Sequence, residues 1–149
     1  LDDLKLIELI QNTLSICESK FVKNQIKVEV DVSHELKARG KRIELSQVLL
    51  NVFNNAFDAL VEKKDNRSLY IKAQNQNELV TLSIANNGPK IELEIAKQIM
   101  NPFFTTKEAG KGMGLGLSIS STLMQNQKGR IYCKPSANNT EFVLELLHA

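Results

Sequence analysis

The two-sidedness of residues 44 to 60 restricts this chain's fold more than any other feature. On a helical wheel Leu45, Leu49, Val52, Phe53, Ala56 and Leu60 fall on one side. Glu44, Gln47, Asn51, Asn54, Asn55 and Asp58 fall on the other, because residues three, four and seven apart share a face. A helix over 43–63 with so complete an apolar side must rest on a second layer. Alternation elsewhere supplies that layer. Residues 26–32 read IKVEVDV, the pattern of a half-buried strand. A short strand is predicted over 35–39. Two paired strands are predicted over 68–74 and 78–86, around a polar turn at Asn75, Gln76 and Asn77. Two more close the chain near 130–134 and 140–147. Further helices are predicted over 4–21, on the stripe Leu4, Ile7, Ile10, Leu14, Cys17 and Phe21, over 92–100, between Pro89 and Pro102, and over 115–127, with Gly129 as its stop. Helices and strands mix without strict βαβ alternation. The predicted class is therefore an α+β two-layer sandwich, a mixed and mainly antiparallel sheet with helices on one face.

A length of 149 residues points to one domain, 1–149, able to bury a full core. Net charge is +2, too small to argue for nucleic acid or an anionic membrane surface. No apolar run is long enough for a transmembrane helix, and no signal peptide opens the chain. Cys17 and Cys133 stand in no metal-like or CxxC spacing and read as free thiols of a reducing compartment. The first residue is Leu1 rather than Met, so the chain reads as a fragment, with room upstream for a membrane anchor or sensor domain.

The polar side of the 43–63 helix is unusual. Solvated helix faces favour Lys, Glu and Arg, whereas this one uses three asparagines, weaker helix formers. Asn51 and Asn55 lie one turn apart, so both amide oxygens can point at one ligand. An amide oxygen is a hard, neutral donor. It suits a nucleotide-bound Mg²⁺, which takes one or two protein oxygens and fills its shell with phosphate and water.

Residues 110–117 read GKGMGLGL, four glycines alternating with larger residues, and run into a predicted helix. Glycine lets backbone N–H groups approach an anion, and the first N–H groups of a helix favour phosphate. A flexible surface loop is the plainer alternative. No Walker loop, dinucleotide fingerprint or protein-kinase signature is present, so a phosphate site here belongs to another class of nucleotide binder.

Four blocks then fall in one order: QVLLNVFNNA at 47–56, ANNGPKI at 85–91, NPFFTTK at 101–107 and GKGMGLGL at 110–117. Together they resemble the N box, first glycine box, F box and second glycine box of sensor histidine kinase catalytic domains, over nearly the whole chain. The resemblance implies the Bergerat ATP-binding fold, with ATP and Mg²⁺ as ligands. By that likeness Asn55 coordinates Mg²⁺, and Asn51 contacts the phosphate–metal cluster. Asn86 stands where the family usually has an aspartate accepting from the adenine amino group. Gly88 and Ile91 border the adenine. Lys107 lies near the phosphates with Phe103 and Phe104 in a lid, although one of these aromatics reads equally well as core and Lys107 as a solvated side chain. Gly110, Gly112, Met113, Gly114, Leu115, Gly116 and Leu117 line the phosphate side, and Thr140 helps to hold the adenine. Asn86, Lys90 and Asn138 with Asn139 depart from the usual aspartate and glycines, which predicts weakened ATP binding.

The same likeness implies γ-phosphoryl transfer from Mg-ATP to a histidine on a separate dimerisation hairpin. It also implies a response regulator receiver domain as partner of the intact kinase, a homodimeric full-length protein, a monomeric isolated domain and a cytoplasmic location beneath an inner-membrane anchor. Ser33-His34-Glu35-Leu36 imitates the phospho-acceptor box, but follows an alternating strand and lacks the downstream proline, so His34 reads as a decoy. Two other classes stay open: a Bergerat-fold ATPase such as an anti-sigma-factor serine kinase, and a binding domain that has lost ATP.

Overall fold

A computed structural model describes residues 1–91, 93–98, 116–135 and 139–149. The chain runs β1 (Asp2–Lys5), α1 (Leu6–Lys23), β2 (Ile26–Asp31), β3 (Lys37–Gly40), α2 (Arg42–Leu60), β4 (Arg67–Gln76), β5 (Leu79–Asn86), α3 (Leu93–Gln98), α4 (Gly116–Gln125), β6 (Arg130–Pro135) and β7 (Thr140–His148). The sheet order is β1-β3-β7-β5-β4-β2. β6 pairs with residues 140–145 of β7, and β3 with its last residues, so the two share the edge of β7 that faces away from β5. Among the described strands only β2 and β4 run parallel. The α+β class with a mixed, mainly antiparallel sheet is therefore as expected.

The amphipathic pattern dictates the packing. α2 buries Leu45, Val48, Leu49, Val52, Phe53, Ala56 and Leu60, and α1 buries Leu6, Ile7, Leu9, Ile10, Thr13, Cys17 and Phe21. On the sheet, Val80, Leu82 and Ile84 of β5 join Leu69 and Ile71 of β4 and Phe142, Leu144 and Leu146 of β7. Burying each such side chain contributes about 1.5–3 kcal/mol. The period of two that sets β5 continues to its end, so Asn86 falls on the same face as Ile84 and is buried. Its register partner on β7 is Thr140, buried too. Two polar side chains thus close the core at the end of the sheet.

α2 starts without help from its own side chains. Instead Gln127 Oε1, from the turn after α4, accepts the Lys41 N–H at 2.9 Å. A capping box supplies that bond from within the helix; here the far side of the fold supplies it. Gly40 leaves the necessary room, since a Cβ there would lie 2.8 Å from Gln127 Oε1.

Several boundaries differ from the sequence reading. Residues 2–5 form a strand and not part of the first helix, because Leu4 pairs with Ala38 of β3. The β4–β5 turn falls at Asn77 and Glu78, with Asn77 at φ 61°. Asn is among the residues that tolerate this left-handed conformation best. α4 ends at Gln125, and the left-handed residue beyond it is Lys128, φ 60°, rather than Gly129. Gly129 is required for another reason: a Cβ there would stand 2.4 Å from the Glu145 carbonyl oxygen of β7.

Candidate functional site

The polar face of α2 is half-buried rather than solvated from Asn51 to Asp58, and its three asparagines have different surroundings. Asn51 Nδ2 donates to the Gly116 carbonyl at 3.2 Å and to Ser120 Oγ at 3.1 Å. Ser120, fully buried, also donates to the Gly116 carbonyl at 2.8 Å. The amide nitrogen of Asn51 therefore fastens α2 to the first turn of α4. Asn54 turns the other way, towards α1: its Oδ1 accepts from Lys20 Nζ, which also lies 4.4 Å from the centroid of the Phe57 ring. Asn55 stands one turn beyond Asn51, and its side chain makes no hydrogen bond to another described residue. Its amide oxygen is a hard neutral donor. Among the described residues no three His, Cys, Asp or Glu side chains gather into a metal cage. A donor of that kind suits an ion whose shell phosphate and water largely fill.

The described part of α4 meets this amide row at Gly116 and Ser120. The Leu117 side chain packs into the core. Ser120 was missed in the sequence, although Leu117, Ser120 and Met124 share one helical face and are all buried. A serine inside an apolar stripe is the signal that could have found it. Lys107, Gly110, Gly112, Met113, Gly114 and Leu115, like Phe103 and Phe104, lie outside the described residues.

The second wall stands where β5 ends and β7 begins. Asn86 Oδ1 accepts the Gly88 N–H at 3.0 Å, an Asx turn that ends the strand. Thr140 Oγ1 accepts the Ile91 N–H at 3.1 Å. Asn87 pins the same loop to β4, with Oδ1 accepting from Ser68 N at 2.8 Å and Nδ2 donating to Asn66 O at 2.7 Å. Gly88 brings the two walls together. A Cβ on it would lie 2.8 Å from the Ala59 carbonyl oxygen in the last turn of α2. Asn86, Gly88, Ile91 and Thr140 are therefore one cluster, joined to the helix that carries Asn51 and Asn55. Lys90 is exposed beyond the cluster. His34 sits exposed in the turn before β3, not on a helix.

Comparison with known proteins gives the family and the fold. Residues 40–149 match the family described as histidine kinase-, DNA gyrase B- and HSP90-like ATPase. The chain is 30% identical over 143 residues to the C4-dicarboxylate transport sensor protein DctB of Rhizobium meliloti, covering 95% of this chain and 22% of that protein. It is 34% identical over 131 residues to DctB of Pseudomonas aeruginosa, covering 87% of this chain and 21% of that protein. The chain thus spans about a fifth of the length of these curated relatives. The catalytic domain of histidine kinase ThkA, in a nucleotide-free form, superposes with a TM-score of 0.87 at 30% identity, covering 98% of this chain and 94% of that one. ThkA has also been solved in complex with the response regulator protein TrrA, where this chain covers 42% of the kinase chain at 28% identity and a TM-score of 0.83. The chain belongs to the histidine kinase-, DNA gyrase B- and HSP90-like ATPase family, as the catalytic domain of a sensor histidine kinase.

Proposed function

We propose that this domain holds Mg-ATP between α2 and residues 110–117, and presents the γ-phosphoryl group to a histidine on a separate dimerisation hairpin. The observation that carries the reading is the Asn51 contact with Gly116 and Ser120. It fastens the amide row of α2 to the helix that the glycine run enters. In this reading Asn55 holds Mg²⁺ through its amide oxygen, and Asn51 Oδ1 faces the same cluster. Bound Mg²⁺ supplies neutralisation of the phosphate charge. The backbone of residues 110–117 and the first turn of α4 orient the phosphates. Lys107 adds a cation from the lid. Asn86, Gly88, Ile91 and Thr140 enclose the base. The catalysis asked of this chain is positioning and charge stabilisation, and the base that activates the acceptor histidine lies on the other domain.

The same reading assigns the intact kinase a homodimeric hairpin and a response regulator receiver domain as partners. The ThkA–TrrA complex supports the latter. It makes the isolated domain a monomer with no nucleic acid partner. It also puts the domain in the cytoplasm, where ATP is, with any inner-membrane anchor elsewhere in the protein. No helix among the described residues is long and apolar enough to cross a membrane.

The test is phosphotransfer in trans. The domain is mixed with γ-labelled Mg-ATP and a separately purified hairpin from a closely related kinase. Acid-labile phosphate is expected on the hairpin, and Asn55→Ala lowers the rate on the order of a hundredfold. Label on His34, or acid-stable phosphate on a serine, overturns the assignment and favours a different kinase class.

A further inference from the structure

α4 is tied to α2 at both ends. At its start, Asn51 Nδ2 donates to the Gly116 carbonyl and to Ser120 Oγ. Just beyond its end, Gln127 Oε1 accepts the Lys41 N–H at 2.9 Å. Gly116 thus stands beside the middle of α2 and Gln127 beside its beginning, so α4 runs antiparallel to the first half of α2. The stretch between the ties is about 15 Å along either helix at the helical rise. Leu117 and Met124 are buried within it, but apolar burial has no direction. The two hydrogen bonds are what set the place of α4 along α2.

The distant tie is not needed to start α2. Glu44 stands three residues after Lys41, the position from which a capping box reaches back to the same N–H. Its Oε2 is buried and has no hydrogen-bond partner among the described residues. α2 therefore carries a local acceptor for the Lys41 N–H and uses a remote one. Gln127 is fully buried and its Nε2 is without a partner among the described residues, which lowers stability. A bond that α2 can make for itself, made instead by a buried amide at that cost, acts on α4.

We infer that Gln127 is a positioning residue for phosphoryl transfer: through Lys41 it sets where the first turn of α4, at the opposite end of that helix, stands beside the amide row of α2. The inference rests on the reading above, in which that turn orients the phosphates. Gly40 is the point from which it can be tested without touching Gln127. A Cβ there would lie 2.8 Å from Gln127 Oε1, the far end of a flexible side chain, and at an ordinary 3.6 Å from Leu4 and Leu45. An alanine at position 40 displaces Oε1 and little else.

Gln127→Met removes the acceptor and keeps the bulk, and Gly40→Ala pushes the acceptor off the Lys41 N–H. Each variant and the wild-type domain are titrated, by NMR chemical shifts, with a Mg²⁺-bound non-hydrolysable ATP analogue and with adenosine, which has no phosphate. Both variants are expected to bind the triphosphate on the order of fivefold more weakly, the worth of one hydrogen bond, and adenosine as the wild type does. Unchanged triphosphate affinity in a folded variant overturns the inference and leaves the nucleotide site intact. So does equal weakening towards both ligands, which marks a general loosening of the fold. Gly40→Ala decides alone if Gln127→Met does not fold, and if neither folds the bond is structural and the inference falls. Wild-type protein that binds neither ligand removes the nucleotide site itself, and the positioning role with it.

Discussion

The helix wall and the strand wall of this site use the same amide chemistry on different supports. On α2, Asn51 is held by groups 65 and 69 residues away, the Gly116 carbonyl and Ser120 Oγ. At the end of β5, Asn86 is held by its own chain two residues on, through Gly88 N–H. The helix wall is therefore only as well placed as α4 is docked. The strand wall carries its own orientation in an Asx turn, clamped by Asn87 to β4.

The contact between the walls is the most sensitive point. Gly88→Ala drives a Cβ to 2.8 Å from a backbone carbonyl that has little freedom to move. It is expected to cost about 2–3 kcal/mol, read as a lowered urea midpoint with unchanged slope, and to weaken nucleotide binding. A fully stable Gly88→Ala protein would mean that the two walls are not in contact. Asn51→Ala acts on one wall alone. Losing its bonds to α4 is expected to cost about 1–2 kcal/mol, with a double-mutant cycle against Ser120→Ala showing positive coupling.

How much of this was legible in the sequence follows from how local each determinant is. The apolar stripe of α2 and the alternation of β5 predict their own burial, because both periods are properties of a single element. The alternation also places Asn86 on the core face without a structure. β1 was hidden, since Leu4 fits the helical stripe of α1 as well as it fits a strand, and only its pairing with Ala38 decides. The different fates of Asn51, Asn54 and Asn55 were equally hidden. All three sit on one helical face, and which of them is taken up depends on whether α1 or α4 packs beside it. Gly129 was found for the wrong reason: its sequence position suggests a helix stop, but the nearby carbonyl of Glu145 is what excludes a side chain. Lys107 and residues 110–115 lie outside the described residues, so the glycine run remains a sequence reading.

The central claim is that α2 and the glycine run close on one metal-bound triphosphate. A crystal structure of the domain with Mg²⁺ and a non-hydrolysable ATP analogue tests it most directly. The expected result is Asn55 Oδ1 in the coordination shell of the ion, at about 2.0–2.1 Å, with the triphosphate against residues 110–117. A nucleotide bound with Asn55 remote from the metal, or with residues 110–117 on a different surface, would contradict it.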